Sequence, residues 1–238
     1  MRDTAWATLV VRANWRKTMV TVTLFLEGGA PLAQQKANVA IAENAETLRK
    51  SLHLFFKRLL SRDDISIVLQ LKSNCRSAAM SFAAATDCVY LYIDSDCFPD
   101  SVDDWIDRYN ENGDELQLSE EQKKRIFFMV QEMEAWFLKQ PECLERWAHD
   151  ENYIRLHTEQ SIAEHSLLKN KNIENIRKPS NVTSTLVKHF YKKPNGNKVK
   201  YGKMKSAPGI LNHIDVGNLL PIDAELQRFV SSVDTLCN

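Results

Sequence analysis

Glycine and proline are scarce in this 238-residue chain, seven of each, which excludes long flexible linkers, low-complexity tails and collagen-like repeats. No apolar run approaches the eighteen or so residues a membrane helix needs, so no membrane association is expected. The start, Met1-Arg2-Asp3-Thr4-Ala5-Trp6, lacks an apolar block long enough for a secretory leader. The five cysteines are an odd number at scattered positions, and none forms a CxxC pair. That argues against a zinc knuckle or a dithiol redox pair and for reduced thiols in a cytoplasmic protein. The six histidines show neither HExxH nor HxH spacing, and none is assigned to a metal. Net charge is missing too, since 31 Lys+Arg balance 31 Asp+Glu.

The balance conceals a polarity. From Asp94 to Glu151 lie 17 acidic and 6 basic residues, whereas from Arg155 to Lys205 lie 12 basic and 3 acidic. An acidic middle before a basic C-terminal third suits a site that holds cations beside a polyanion. Two solvated faces that neutralise each other give the same count, so motifs must decide.

Three β-branched or aromatic runs read as strands: Met19 to Leu26, Ile65 to Leu71 and Cys88 to Ile93. Between them lie two helical stretches. In the first, Leu48, Leu52, Phe55, Phe56 and Leu59 recur at spacings of three and four, with Asn44 a candidate N-cap; the second is the alanine-rich Arg76 to Ala85. Strand and helix alternating in this way predict an α/β fold with a mainly parallel sheet flanked by helices. Functional groups in such sheets gather beyond the carboxyl ends of the strands, and Glu27 and Asp94 both fall there. A short helix is expected over Ser101 to Tyr109, and Ser119 with Gln122 has capping-box spacing. Ile126 to Val130 reads as a fourth strand or as the body of one helix running on to Leu138, which periodicity does not separate. A strand that breaks near Gln131 is preferred, because five consecutive apolar residues leave no polar helix face. The chain divides into an N-terminal extension (1–18), an α/β core (19–150) and a smaller basic, mostly helical C-terminal subdomain (151–238).

Asp94 and Asp96 are carboxylates one residue apart at a strand end, a spacing that lets both reach one divalent cation. Hard oxygen ligands select Mg²⁺ or Mn²⁺. Glu27, from a neighbouring strand, would hold a second ion or move a proton. Like charges packed together repel unless a cation neutralises them.

Leu26-Glu27-Gly28 followed by Tyr92-Ile93-Asp94-Ser95-Asp96 resembles the TOPRIM core of topoisomerases, bacterial primases and overcoming-lysogenization-defect nucleases. Met129 to Leu138, with Glu134-Ala135-Trp136, resembles the signature of a bacterial TOPRIM-like family encoded beside ABC-type or AAA-type ATPases in phage-defence loci. The resemblance covers Thr21 to Leu138 and is loose beyond. It implies a TOPRIM-like (Rossmann-like) core and a Mg²⁺-dependent nuclease that hydrolyses DNA or RNA phosphodiesters, with an ATPase partner. It further implies that Glu27, Asp94, Asp96 and Glu134 are metal ligands and catalytic groups, with Glu132 a further candidate for the acidic cluster. Arg76 stands where that family has a Gly-x-Arg turn and becomes a phosphate contact, although Asn74 replaces the glycine. Lys188, Lys192, Lys193, Lys198, Lys200, Lys203 and Lys205 would grip a nucleic-acid backbone without reading sequence.

Plainer readings stand beside these. Trp136 belongs in a core, Glu132 reads as solvated, and a lysine run is often just a soluble surface. A haloacid-dehalogenase-like phosphatase also uses a DxD after an apolar strand, but normally in its first strand. A nucleotide-sugar transferase leaves Glu27-Gly28 unexplained. A non-catalytic TOPRIM-like scaffold that binds an ATPase partner fits the same residues, and homo-oligomerisation is compatible with all of them.

Overall fold

In this computed structural model, residues 19–28, 39–86, 88–95, 101–111, 113 and 115–236 are described. Strand β1 (Val20–Glu27) leads into helix α1 (Val39–Leu60), β2 (Ile65–Lys72), α2 (Cys75–Ala83) and β3 (Val89–Asp94). Then come α3 (Val102–Glu111), α4 (Glu120–Lys123), β4 (Ile126–Met129), α5 (Glu134–Lys139) and α6 (Glu142–Asp150). The C-terminal region comprises β5 (Ile154–Arg155), α7 (Pro179–Phe190), β6 (Tyr191–Lys192), α8 (Lys203–Asn212), α9 (Val216–Leu219) and α10 (Ala224–Leu236). The first four strands form a parallel sheet in the order β2-β1-β3-β4, while β5 and β6 pair antiparallel. The α/β fold expected from the sequence is therefore present, with a helical C-terminal region.

The near-continuous apolar strands have a simple cause: helices cover both faces of the sheet. Val22, Leu24, Leu26, Tyr90, Tyr92, Phe127 and Met129 point to one side, into a core shared with α1 and the C-terminal helices. Phe25, Leu91, Ile93, Ile126 and Phe128 point to the other, against α2 and α3. Trp136 lies in the first core, 1% exposed, stacked on Phe55 at 4.7 Å. Such an aromatic pair adds about 0.5–1.5 kcal/mol beyond its buried area. The outer edge of β4 is closed by α10, where Glu225 accepts the Phe128 N–H and Arg228 donates to the Ile126 carbonyl. Both groups of an otherwise open edge are thereby satisfied.

One helix start differs from expectation. Helix α1 begins at Val39, so Asn44 lies inside it and caps nothing. The alanines at 40 and 42 are strong helix formers and carry the helix upstream of its apolar stripe. Asn74 instead caps α2, accepting the Ser77 N–H at 2.8 Å. Among the described residues no helix is long and apolar enough to cross a membrane.

Three histidines without sequence spacing of note meet around Phe190. His157 stacks on His189 at 4.3 Å, and His165 approaches His189 edge-on at 4.9 Å. Burial, then the neighbouring His189, lowers the proton affinity of His165, and its Nδ1 accepts the Leu167 N–H at 3.2 Å. A protonated Nδ1 loses that bond. Arg155 over the Phe190 ring adds positive charge, and Glu159, 3.6 Å from His157, opposes it. The unfolded chain, with histidine near 6.5, therefore binds protons before native His165 does. The native state is at full strength above that pH and loses stability as pH falls from about 6.5 toward the lowered native value. Thermal midpoints measured from pH 7.5 to 5.5 should decline, and His165→Phe should flatten the decline; an identical decline in the variant refutes the assignment.

Candidate active site

The carboxyl ends of β1 and β3 are neighbours. Pairing runs to Leu26↔Tyr92, so Glu27 stands one step on, beside Ile93 and next to Asp94, across an interstrand gap of roughly 5 Å. Gly28 follows with φ +123°, a conformation that favours glycine, and its N–H donates to the Lys72 carbonyl at 3.0 Å, turning the chain off the sheet. Strict alternation places Asp94 on the α1 side with Tyr90 and Tyr92, and Glu27 on the other side with Phe25. Their closeness comes from the rim rather than from a shared face.

A second turn brings in Glu134. Gln131, at the end of β4, adopts φ +65° and donates its N–H to Ser95 Oγ at 2.7 Å, while the Ser95 N–H donates to the Met129 carbonyl. This knot folds the start of α5 back over β3. The Met133 N–H then donates to Asp94 Oδ1 at 3.1 Å, and Glu134 follows, fully buried. Trp136, two helical positions on, faces the core. One short helix thus anchors itself and presents an acid.

The third contribution comes from the C-terminal region. The Lys203 ammonium, on the first residue of α8, donates to Asp94 Oδ2 at 2.7 Å and lies 3.9 Å from Glu134 Oε2. The Tyr201 hydroxyl donates to Glu134 Oε1 at 2.7 Å. Helix α8 directs its positive end at the acids, and at its other end Arg58 donates to the carbonyls of Leu211, Asn212 and Ile214.

The electrostatics follow from burial. Desolvation raises the Glu134 pKa, and Asp94 adds to it, while Lys203 and Tyr201 pull it back. Burial alone would lower Lys203, but Asp94, Glu134 and Glu27 outweigh it and hold the ammonium protonated. The Tyr201 hydroxyl is pushed far up by burial and by the charge of Glu134, so it remains a donor. Three acids distant in the chain therefore act on one lysine.

Asp96 lies outside the described residues. Glu132 is not part of the cluster: its carboxylate accepts the Ser180 N–H at 2.8 Å in the first turn of α7 and lies 3.5 Å from Lys178. Arg76 is exposed on the first turn of α2, which leaves the same rim of the sheet. Lys188, Lys193, Lys198, Lys200 and Lys205 are exposed and Lys192 is half-buried on β6. Lys203 departs from that group and belongs to the acidic site. Its sequence gives no sign of this, being one lysine among several, 109 residues from Asp94.

Among the described residues no three His, Cys, Asp or Glu side chains are set to hold a metal ion by themselves. The donors are nonetheless of the right kind: carboxylate oxygens, with Glu134 Oε2 buried and accepting no hydrogen bond. Mg²⁺ usually takes one or two protein carboxylates and completes its shell with water and substrate phosphate, so Asp94 and Glu134 fit that demand once the Lys203 ammonium yields its place.

Comparison with curated proteins and with solved structures gives no match to this chain. The sequence model of a family described as a domain of unknown function, DUF4276, matches residues 30–234, a span that contains Asp94, Glu134, Tyr201 and Lys203 but not β1, and the chain belongs to that family.

Proposed function

We propose that this protein is a Mg²⁺-dependent phosphodiester hydrolase of the TOPRIM type, a nuclease acting on DNA or RNA. The observation that carries the reading is the meeting of Asp94 and Glu134 on the Lys203 ammonium, at the rim where the neighbouring strand ends in Glu27. Asp94 and Glu134, joined by Glu27 and Asp96 as the resemblance implies, would hold Mg²⁺ or Mn²⁺. The bound ion would supply charge neutralisation at phosphorus and a water of lowered pKa. Tyr201 holds the Glu134 carboxylate in a fixed orientation. Lys203, released from Asp94, stays within reach of a substrate phosphate. The resemblance to defence-locus proteins supports a role as the effector of an ATPase-partnered anti-phage system, and that part rests on the resemblance alone.

The short contact between Lys203 and Asp94 favours one competing reading, a DxD-type phosphatase in which Asp94 attacks phosphorus as the ester alcohol leaves. In that reading water then hydrolyses the aspartyl phosphate to inorganic phosphate, and Lys203 steadies Asp94. A single pair of substrates separates the two. With Mg²⁺, the nuclease reading expects hydrolysis of bis(p-nitrophenyl) phosphate, a diester, and little of p-nitrophenyl phosphate, a monoester. EDTA should abolish it. The opposite preference favours the phosphatase, and no hydrolysis of diester or nucleic acid under any divalent ion overturns the proposal.

A further inference from the structure

The segment from Lys200 to Ser206 is a wall with two occupied sides. Tyr201 and Lys203 reach the acids, whereas Lys200, Lys205 and Ser206 line a separate cavity of about 670 Å³. Lys193 and Lys198 complete its basic lining, and Trp147 and Tyr153 supply its aromatic surface. The volume falls in the range of small-ligand sites, roughly 300–1,000 Å³.

Its construction is rigid. Lys192 bridges Lys198 across a hairpin closed by the Lys193 N–H on the Asn197 carbonyl at 2.8 Å, with Gly196 at φ +84° in the turn. Val199, 1% exposed, anchors the returning segment between Lys198 and Lys200. The Gly202 N–H donates to Ser206 Oγ, fixing the first turn of α8. Tyr153 meets Trp147 edge to face at 5.4 Å, which leaves the more exposed tyrosine as the ring a ligand can touch.

Charge is what sets the cavity apart. Lys123, Lys124, Lys139, Lys169, Lys178 and Lys203 each form an ion pair, and the other lysines unpaired among the described residues, Lys57, Lys72, Lys171, Lys188 and Lys192, are not gathered in this lining. Among the described residues, Lys193, Lys198, Lys200 and Lys205 form none, although Glu151 shares the lining. Four uncommitted cations in one concavity suit an anion with several negative groups. Duplex phosphates lie on a convex cylinder and are met by flat or grooved arrays, not by a cavity this size. A single strand can enter, stack a base on an aromatic ring and distribute its phosphates over the ammonium groups.

We infer that this cavity binds single-stranded nucleic acid and leads the strand over the Lys200–Ser206 wall to the carboxylates. The inference rests on the nuclease reading for its purpose, but binding is measurable without cleavage. In EDTA, fluorescence anisotropy with a labelled twelve-nucleotide DNA, the matching RNA and the DNA duplex should show the full-length chain binding single strands about tenfold or more tightly than duplex, because only the strand exposes bases for stacking. The DNA and RNA arms identify which strand is preferred. Lys198→Ala with Lys200→Ala and Lys205→Ala should reduce the slope of log affinity against log salt by about 2. Tyr153→Ala should weaken binding roughly fivefold or more with the salt slope unchanged, and Tyr153→Phe should restore it. Equal or tighter duplex binding, or an unaltered slope in the lysine variant, overturns the inference. If the wild-type chain hydrolyses the small diester yet ignores single strands, the cavity reading fails and the chemistry stands; if it binds strands but hydrolyses nothing, the reverse holds.

Discussion

Asp94→Asn should lower Mg²⁺-dependent hydrolysis by roughly a hundred- to a thousandfold while the protein stays folded, the usual effect of deleting one electrostatic contributor at a reacting centre. The substitution keeps the shape of the side chain. Its amide oxygen can still accept the Met133 N–H, so the fold of the α5 turn survives. What disappears is the charge that Lys203 neutralises and that a divalent ion needs. The same variant should lose Mn²⁺ binding in calorimetry, since a neutral amide is a much poorer ligand for a hard cation. Glu27→Gln is a useful companion, because Glu27 acts on Lys203 by charge and comes from the neighbouring strand. Full activity in Asp94→Asn with an unchanged thermal midpoint eliminates the proposed site.

The parts of this molecule legible in sequence are those where a single physical demand governs. β3 is buried at every position and apolar almost throughout, while β1 and the edge strand β2 keep their β-branched and aliphatic runs although β2 buries only Leu69, so all three begin and end within a residue of expectation. The strand at Ile126 and its break near Gln131 are legible for the same reason. Trp136 is legible as core because two helical positions separate it from Glu134, which turns one inward to the rim and the other to the packed face. The start of α1 is obscured because the periodic stripe ends before the helix does.

The site divides similarly. Glu27 and Asp94 are visible because strand ends in parallel sheets collect function, and Glu134 follows from the resemblance. Lys203 and Tyr201 are invisible because nothing local distinguishes a lysine that reaches a carboxylate from one that reaches water. Only the packing of α8 across α1, with its C-terminal carbonyls held by Arg58, sets that lysine at the acids. The histidine cluster escapes notice for the same reason, since His157, His165 and His189 meet through tertiary folding and not through spacing.

Lys203→Met should produce a protein whose stability depends on divalent cations. Methionine keeps much of the length of the aliphatic stem but removes the ammonium that pairs with Asp94 and stands 3.9 Å from Glu134, which are 8% and 0% exposed. Breaking a buried pair on one side commonly costs about 3–5 kcal/mol. Because 37% of the Lys203 side chain reaches solvent, screening reduces this to about 2–3 kcal/mol. A chain of this size loses about 2–4 °C per kcal/mol, so the midpoint should fall by roughly 5–10 °C in EDTA. Added Mg²⁺ or Mn²⁺ has no ammonium to displace in the variant. At a hundred times its dissociation constant, a bound ion returns about 2.7 kcal/mol. The variant should therefore regain most of its midpoint, while the wild-type midpoint moves less over the same titration. Lys203→Arg is the control for fold, since it keeps the charge. If Lys203→Met melts with the wild type in EDTA, the carboxylates do not require a cation. If it melts early and no divalent ion restores it, the lysine is only a structural partner of these acids and the metal site is refuted. Only the combined result, early melting reversed by Mg²⁺ or Mn²⁺, shows that lysine and metal compete for one place.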